Sequence, residues 1–129
     1  AEIIKAALTR THTDPNDPER LLAALGGPEF AVLAGVCLGA AEAGSPVVLD
    51  GLATSVAALI ATKFSPGLHG WLVASQASRE QVHHIVLAEL GLEALMELRM
   101  RAGEGVGACF GAQMILTGLQ VRRTAARTC

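Results

Sequence analysis

Ser45-Pro46-Val47-Val48-Leu49-Asp50-Gly51 is a short apolar run with β-branched residues, bounded by Pro46 and Gly51. A run of that length between turn residues predicts a fully buried strand of a parallel sheet. Residues 52–64, rich in Ala and Leu, follow directly and predict a helix. After the turn Ser65 to Gly70 comes a second short apolar strand, Trp71 to Ala74, and then the polar loop Ser75-Gln76-Ala77-Ser78. A helix from Arg79 to about Leu90 is expected next, with Ser78 as its cap and Gln81 at the third helical position completing a capping box. Strand, helix, strand, helix in this order predicts a parallel α/β arrangement with a right-handed crossover.

Outward from this unit the chain reads as helices. Ile3, Ile4, Ala7 and Leu8 recur at helical spacing, and the stretch closes in the loop THTDPNDP at 11–18. Asp17 caps a helix that has Pro18 at its first position and ends at Gly26-Gly27. Another starts at Pro28 and runs to about Ala43. Its Gly35 and Gly39 share one face, which suits either a subunit contact or tight packing inside one subunit. Residues 92–101 fit a turn of helix or a short strand. Gly103-Glu104-Gly105-Val106-Gly107 opens a last helix reaching about Arg122. The expected division is leading helices at 1–25, an α/β unit at 26–122 and a loose tail at 123–129.

Composition excludes several classes. Of 129 residues 51% are hydrophobic and 17% charged, so one domain with a substantial core is expected rather than disorder. Ten Lys and Arg against twelve Asp and Glu leave a net charge of -2, which offers no field for a phosphate backbone. Nucleic acid is not an expected partner. The longest apolar run, Phe30 to Ala41, falls short of the ~20 residues that span a bilayer and predicts a buried helix, so no membrane association is expected. The start AEIIKAAL lacks the features of a signal peptide and resembles the middle of a helix, as though cut from something longer. Cys37, Cys109 and Cys129 form no Cys-x-x-Cys pair, and a reduced, cytoplasmic location is expected. Cys37 and Cys109 lie in apolar helices and are expected to be buried.

In an open parallel sheet, ligands sit beyond the carboxyl ends of the strands. The informative residues are therefore Asp50-Gly51, the Ser75–Ser78 loop and the glycine-rich 103–107 segment. Glu104, flanked by glycines at a helix start, is a candidate general base beside open backbone N–H groups; alternatively it offsets the helix dipole while the glycines make a tight turn. GEGVG is neither a dinucleotide fingerprint nor a Walker loop. Ser75 and Ser78 suit phosphate or carboxylate oxygens, or simple capping. Asp50 suits a hydroxyl, a ribose or a loop amide. His83 and His84 point about 100° apart on a helix and cannot share a metal, and His12 and His69 lie in remote loops, so no metal site is expected.

Taken in order, ALGGPEFAVLAGVCLGAA, PVVLDG, SQASRE, LAELGLEALMEL and MRAGEGVGA resemble the C-terminal portion of nicotinate-nucleotide–dimethylbenzimidazole phosphoribosyltransferases. The resemblance covers nearly the whole chain. It implies an α/β fold with a parallel, Rossmann-like sheet flanked by helices, incomplete in this fragment and carrying extra N-terminal helices. It further implies a homodimeric pentosyltransferase without metal or cofactor. The reaction implied moves phosphoribose from nicotinate mononucleotide to 5,6-dimethylbenzimidazole, giving the α-ribazole phosphate of the cobalamin lower ligand.

By that resemblance Glu104 is the general base, and Gly103, Gly105 and Gly107 are its frame. Ser75, Ser78 and Glu80 correspond to a Ser-His-x-Ser-x-Glu loop near nicotinate and phosphate, and Asp50-Gly51 to a post-strand Asp-Gly. The sequence departs where Gln76 replaces the usual His, where Pro28 replaces a Phe, and at Arg79, Gln81 and Val82. Family members are much longer, so the isolated 129 residues are expected to be inactive. The different expectation, a non-catalytic oligomerising module or a fragment that needs an upstream chain, rests on apolar helix faces that two strands are too few to cover.

Overall fold

The structure, a computed structural model, describes residues 2–12, 14, 16–100 and 102–125. Helices α1 (Glu2–Thr11), α2 (Pro18–Leu25) and α3 (Pro28–Glu42) lead into strand β1 (Val47–Leu49), helix α4 (Leu52–Phe64), a 3-10 turn (Pro66–Trp71) and strand β2 (Leu72–Ala74). Helices α5 (Gln81–Glu89) and α6 (Val106–Ala125) complete the order. The two strands pair in parallel, Val47 with Leu72, Val48 with Val73 and Leu49 with Ala74. This is the βαβ unit expected of SPVVLDG and its flanks: an incomplete α/β fold preceded by extra helices.

The turn of helix or short strand expected at 92–101 is not formed over the described residues 92–100, which make a single bridge instead. Met96 forms a parallel bridge with Gln76, and Leu95 and Met96 donate to the carbonyls of Ala74 and Ser75. The extended backbone after β2 is thus tied on both sides, since Ser75 N–H also reaches the Leu49 carbonyl.

The core lies where α4 packs against α3 and α5. α4 turns Ser55, Ala57, Ala58, Ala61 and Thr62 inward, and these small side chains let the neighbouring helices approach. Ala34 and Cys37 of α3, Leu49, Leu68, Leu72, Val86 and Leu90 close the apolar cluster. His69 Nδ1 donates to the Leu90 carbonyl at 3.1 Å, which pins the 3-10 turn to the end of α5. The caps follow local chemistry: Asp17 accepts from Arg20 N–H ahead of Pro18, and the Thr54 hydroxyl accepts from the N–H groups of Asp50 and Gly51.

Several expectations are corrected. α5 begins at Gln81 rather than Arg79, and Ser78 does not cap it, because Ser78 N–H is drawn to the His83 ring. β1 is not buried throughout; Val47 and Val48 are half-buried and only Leu49 is buried, β2 being its one strand neighbour among the described residues. α3 is not a buried helix, for only Ala34 and Cys37 are buried while Val32 and Val36 are exposed. Among the described residues Gly35 and Gly39 face open space, with nothing within 4 Å of an added Cβ. Cys109 is exposed on α6, whereas Cys37 is buried and its thiol pKa is raised by that burial. Residues 123–125 continue α6; the rest of the expected tail, 126–129 with Cys129, lies outside the described residues. Among the described residues, no helix is long and apolar enough to cross a membrane.

Candidate active site

The loops that follow β1 and β2 meet the start of α6 around one cavity of about 880 Å³. Asp50, Gly51, Gln76, Ser78, Arg79, Glu80, Gly103, Glu104 and Gly105 all contribute to its wall. Seven of the nine candidate residues, all but Ser75 and Gly107, therefore line one cavity, as expected for loops leaving the same ends of parallel strands. A second hollow, about 660 Å³ and lined in part by His84, Leu87, Leu92 and Leu95, contains none of them.

Ser75 is not brought to the cavity. It is fully buried, and its hydroxyl donates to the Leu49 carbonyl at 2.6 Å. Ser75 thus ties β2 to β1 beneath α6. A Cβ on Gly111 would lie 2.6 Å from the Ser75 Cβ, so α6 packs directly on the extended backbone only because residue 111 is glycine. Gly107 has the same purpose one turn earlier, where a Cβ would fall 2.8 Å from Asp50 Oδ1 and from Gln76 Cγ and Nε2.

Asp50 fixes the glycine-rich segment. Its carboxylate accepts from Ala108 N–H at 3.0 Å and from Gly105 N–H at 3.3 Å, across more than fifty residues of sequence. The negative charge sits at the positive end of α6, where it is favoured. Of the uses weighed for Asp50, these contacts show the holding of loop amides. The same contacts correct part of the glycine-frame expectation, because the N–H groups of Gly105 and Ala108 are engaged by Asp50 rather than left open.

Gly103, Glu104 and Gly105 have φ values of +64°, +54° and +82°. Glycine adopts this region readily, but for glutamate it costs ~1–2 kcal/mol. The outer glycines accommodate the turn, while Glu104 holds an unfavourable conformation that places it on the cavity wall, exposed. His12 and Arg99 also have positive φ, yet neither lines this cavity.

Two cavity or wall-supporting residues had weak signals in the sequence. Gln76 is 6% exposed and its Oε1 has no partner, although the stretch SQAS reads as an ordinary polar loop. His83 is 1% exposed and bonds to both Ser55 and Ser78. A histidine next to another histidine on a helix directs attention to metals, not to a buried bridge.

Parallel strands, a crossover helix and a carboxylate-anchored glycine turn border this open cavity of an α/β fold. A phosphoribosyltransferase family model matches residues 1–128, and the chain belongs to the family of nicotinate-nucleotide–dimethylbenzimidazole phosphoribosyltransferases. It is 41% identical over 120 residues to the enzyme so named from Desulforudis audaxviator, covering 93% of this chain and 34% of that protein. The counterpart from Salinispora tropica is 43% identical over 120 residues, with 93% and 33% covered. The crystal structure of CobT from Thermus thermophilus superposes with a TM-score of 0.82 at 38% identity, over 88% of this chain and 34% of that one. The chain spans about a third of the length of these relatives.

Proposed function

We propose that this chain forms the part of a phosphoribosyltransferase that carries the general base. In this reading, phosphoribose passes from nicotinate mononucleotide to 5,6-dimethylbenzimidazole, giving α-ribazole phosphate. The observation that carries it is Glu104, held at φ +54° between two glycines on the wall of the cavity it shares with Ser78 and Glu80. Unfavourable backbone geometry persists where surrounding structure enforces it, and such residues cluster at reactive sites.

Chemically, departure of nicotinate builds positive charge at the ribose C1 carbon, and the benzimidazole nitrogen attacks that carbon. Glu104 takes the proton that the attacking base must lose. Glu104 is exposed here, so a bound base is what excludes water from it and strengthens it as a proton acceptor. Ser78 offers a hydroxyl and Arg79 a cation to the phosphate, both on the cavity wall. Asp50 holds the α6 start so that Glu104 does not drift.

The test is Glu104→Gln and Glu104→Gly in a full-length polypeptide carrying this chain. Glutamine keeps the size but accepts no proton, so single-turnover transfer should fall ~10²–10⁴-fold with nicotinate mononucleotide binding nearly unchanged. Glycine relieves the backbone, so it should lose transfer while unfolding no more easily than the parent. Near-normal transfer by the glutamine variant would remove Glu104 from the role.

One set of observations favours the companion reading, a module that works only when covered by another polypeptide or a second copy. Val106, Phe110, Met114, Leu116, Leu119 and Val121 are exposed to 36–60% along α6, and the Gly35 and Gly39 face of α3 is open. In this reading the protein is a homodimer acting in the cytoplasm.

A further inference from the structure

His83 is almost completely buried, and both its ring nitrogens are engaged. Nδ1 lies 2.9 Å from the backbone nitrogen of Ser78, and Nε2 lies 3.0 Å from Ser55 Oγ. A backbone N–H can only donate, so Nδ1 is the unprotonated nitrogen and Nε2–H donates to Ser55. The ring is a neutral strut. One end rests on α4 and the other grips the loop between β2 and α5 in its middle. Residues on either side have their own anchors: Ala77 N–H reaches the Met96 carbonyl at 2.9 Å, and Glu80 N–H reaches Ser78 Oγ at 3.4 Å. Ser78, Arg79 and Glu80 all line the cavity, whereas His83 does not.

We propose that His83 is a positioning residue for the ligand cavity, its Nδ1 lone pair holding the Ser78–Glu80 segment against the wall. The proposal rests on the cavity being the nucleotide site. What matters is the acceptor at Nδ1, not the bulk of the ring. Protonation would place a second donor opposite Ser78 N–H and break the grip. α4 meets the ring with the uncharged Ser55, and the charged neighbours are His84, which opposes protonation, and Glu80, which favours it. Burial is the largest influence and lowers the His83 pKa, so the strut is neutral at pH 7.

Two substitutions separate the acceptor from the ring. Asparagine puts a carbonyl oxygen near the Nδ1 position and gives up the Ser55 contact; glutamine reaches the Nε2 position and gives up Ser78. Amide hydrogen exchange at Ser78 and nicotinate mononucleotide binding are measured in a full-length polypeptide carrying this chain. His83→Asn should keep Ser78 protected and bind within about threefold of the parent, while His83→Gln should lose protection and weaken binding about tenfold. Equal losses in both variants, following their unfolding midpoints, would overturn the proposal. If the unsubstituted full-length polypeptide does not bind the nucleotide, the cavity reading fails, and Ser78 exchange alone still decides for or against the strut. Should neither variant fold, a nitrogen-15 spectrum of the parent decides it: protonation at Nε2 supports the strut, and at Nδ1 refutes it.

Discussion

Gly111 and Gly118 lie two turns apart on α6, and replacing each by alanine isolates what the close contact with Ser75 requires. Alanine is favoured over glycine in a helix interior by about 0.8–1.0 kcal/mol. At Gly118 nothing lies within 4 Å of the new Cβ, so the full gain should appear and raise the unfolding midpoint by about 3–5 °C. At Gly111 the new Cβ would sit 2.6 Å from Ser75 Cβ and 3.2 Å from Ser75 Cα. Neither atom belongs to a flexible chain end, and the Ser75 hydroxyl is already tied to the Leu49 carbonyl. α6 must then retreat from the strands, at an overpacking cost of about 1–3 kcal/mol. After the helix gain is subtracted, Gly111→Ala should be destabilised by up to about 2 kcal/mol, and the two variants should differ by about 1–3 kcal/mol. Thermal and urea unfolding followed by circular dichroism measures both. Equal stability of the two variants would show that α6 does not rest on Ser75, and the placement of Glu104 would lose its support.

Asp50→Ala should destabilise by about 0.5–2 kcal/mol, the loss expected of a helix cap, with faster amide exchange at Gly105 and Ala108; unchanged exchange there would separate Asp50 from α6. The lowered His83 pKa makes stability depend on pH, because the unfolded chain binds that proton more readily than the folded one. Its contribution is complete above the ordinary value of 6.5 and is lost as the pH falls from there through the lowered folded value; urea midpoints between about pH 7 and pH 5 should show this loss, reduced in His83→Asn. The exposed apolar residues of α6 predict self-association, so sedimentation at tens of micromolar should find a species heavier than 13.3 kDa, and a clean monomer would contradict the covering of that face.

The βαβ unit was legible because its signals are local: Pro46 and Gly51 bracket a β-branched run, and Asp17-Pro18 marks a helix start without any tertiary help. Convergence of the loops after residues 50, 75 and 103 was legible too, since parallel strands present their ends on one side. What escaped was any feature decided by a distant partner. Ser78 looks like a cap, but a buried imidazole five residues on competes for its N–H and shifts the helix start. Ser75 looks like a ligand-binding hydroxyl, but its nearest acceptor is a carbonyl of the neighbouring strand. Burial of the run at 30–41 was overestimated because hydrophobicity does not say which face of a helix finds a neighbour.

Asp50 and Glu104 play different parts on the wall of this cavity. A glutamate at positive φ relaxes towards ordinary backbone geometry unless the segment is held at both ends. On one side Asp50 grips Gly105 and Ala108, and this grip requires α6 to come close enough for a Cβ at residue 107 to be excluded. The glycine at 107 is thus part of the same device as the glycines at 103 and 105, though its φ is not positive and its role is contact rather than conformation. The conformational cost at Glu104, ~1–2 kcal/mol, is comparable to the cap energy that Asp50 supplies, so the turn is held without a large surplus. Weakening the Asp50 contacts should therefore release Glu104 before it unfolds α6.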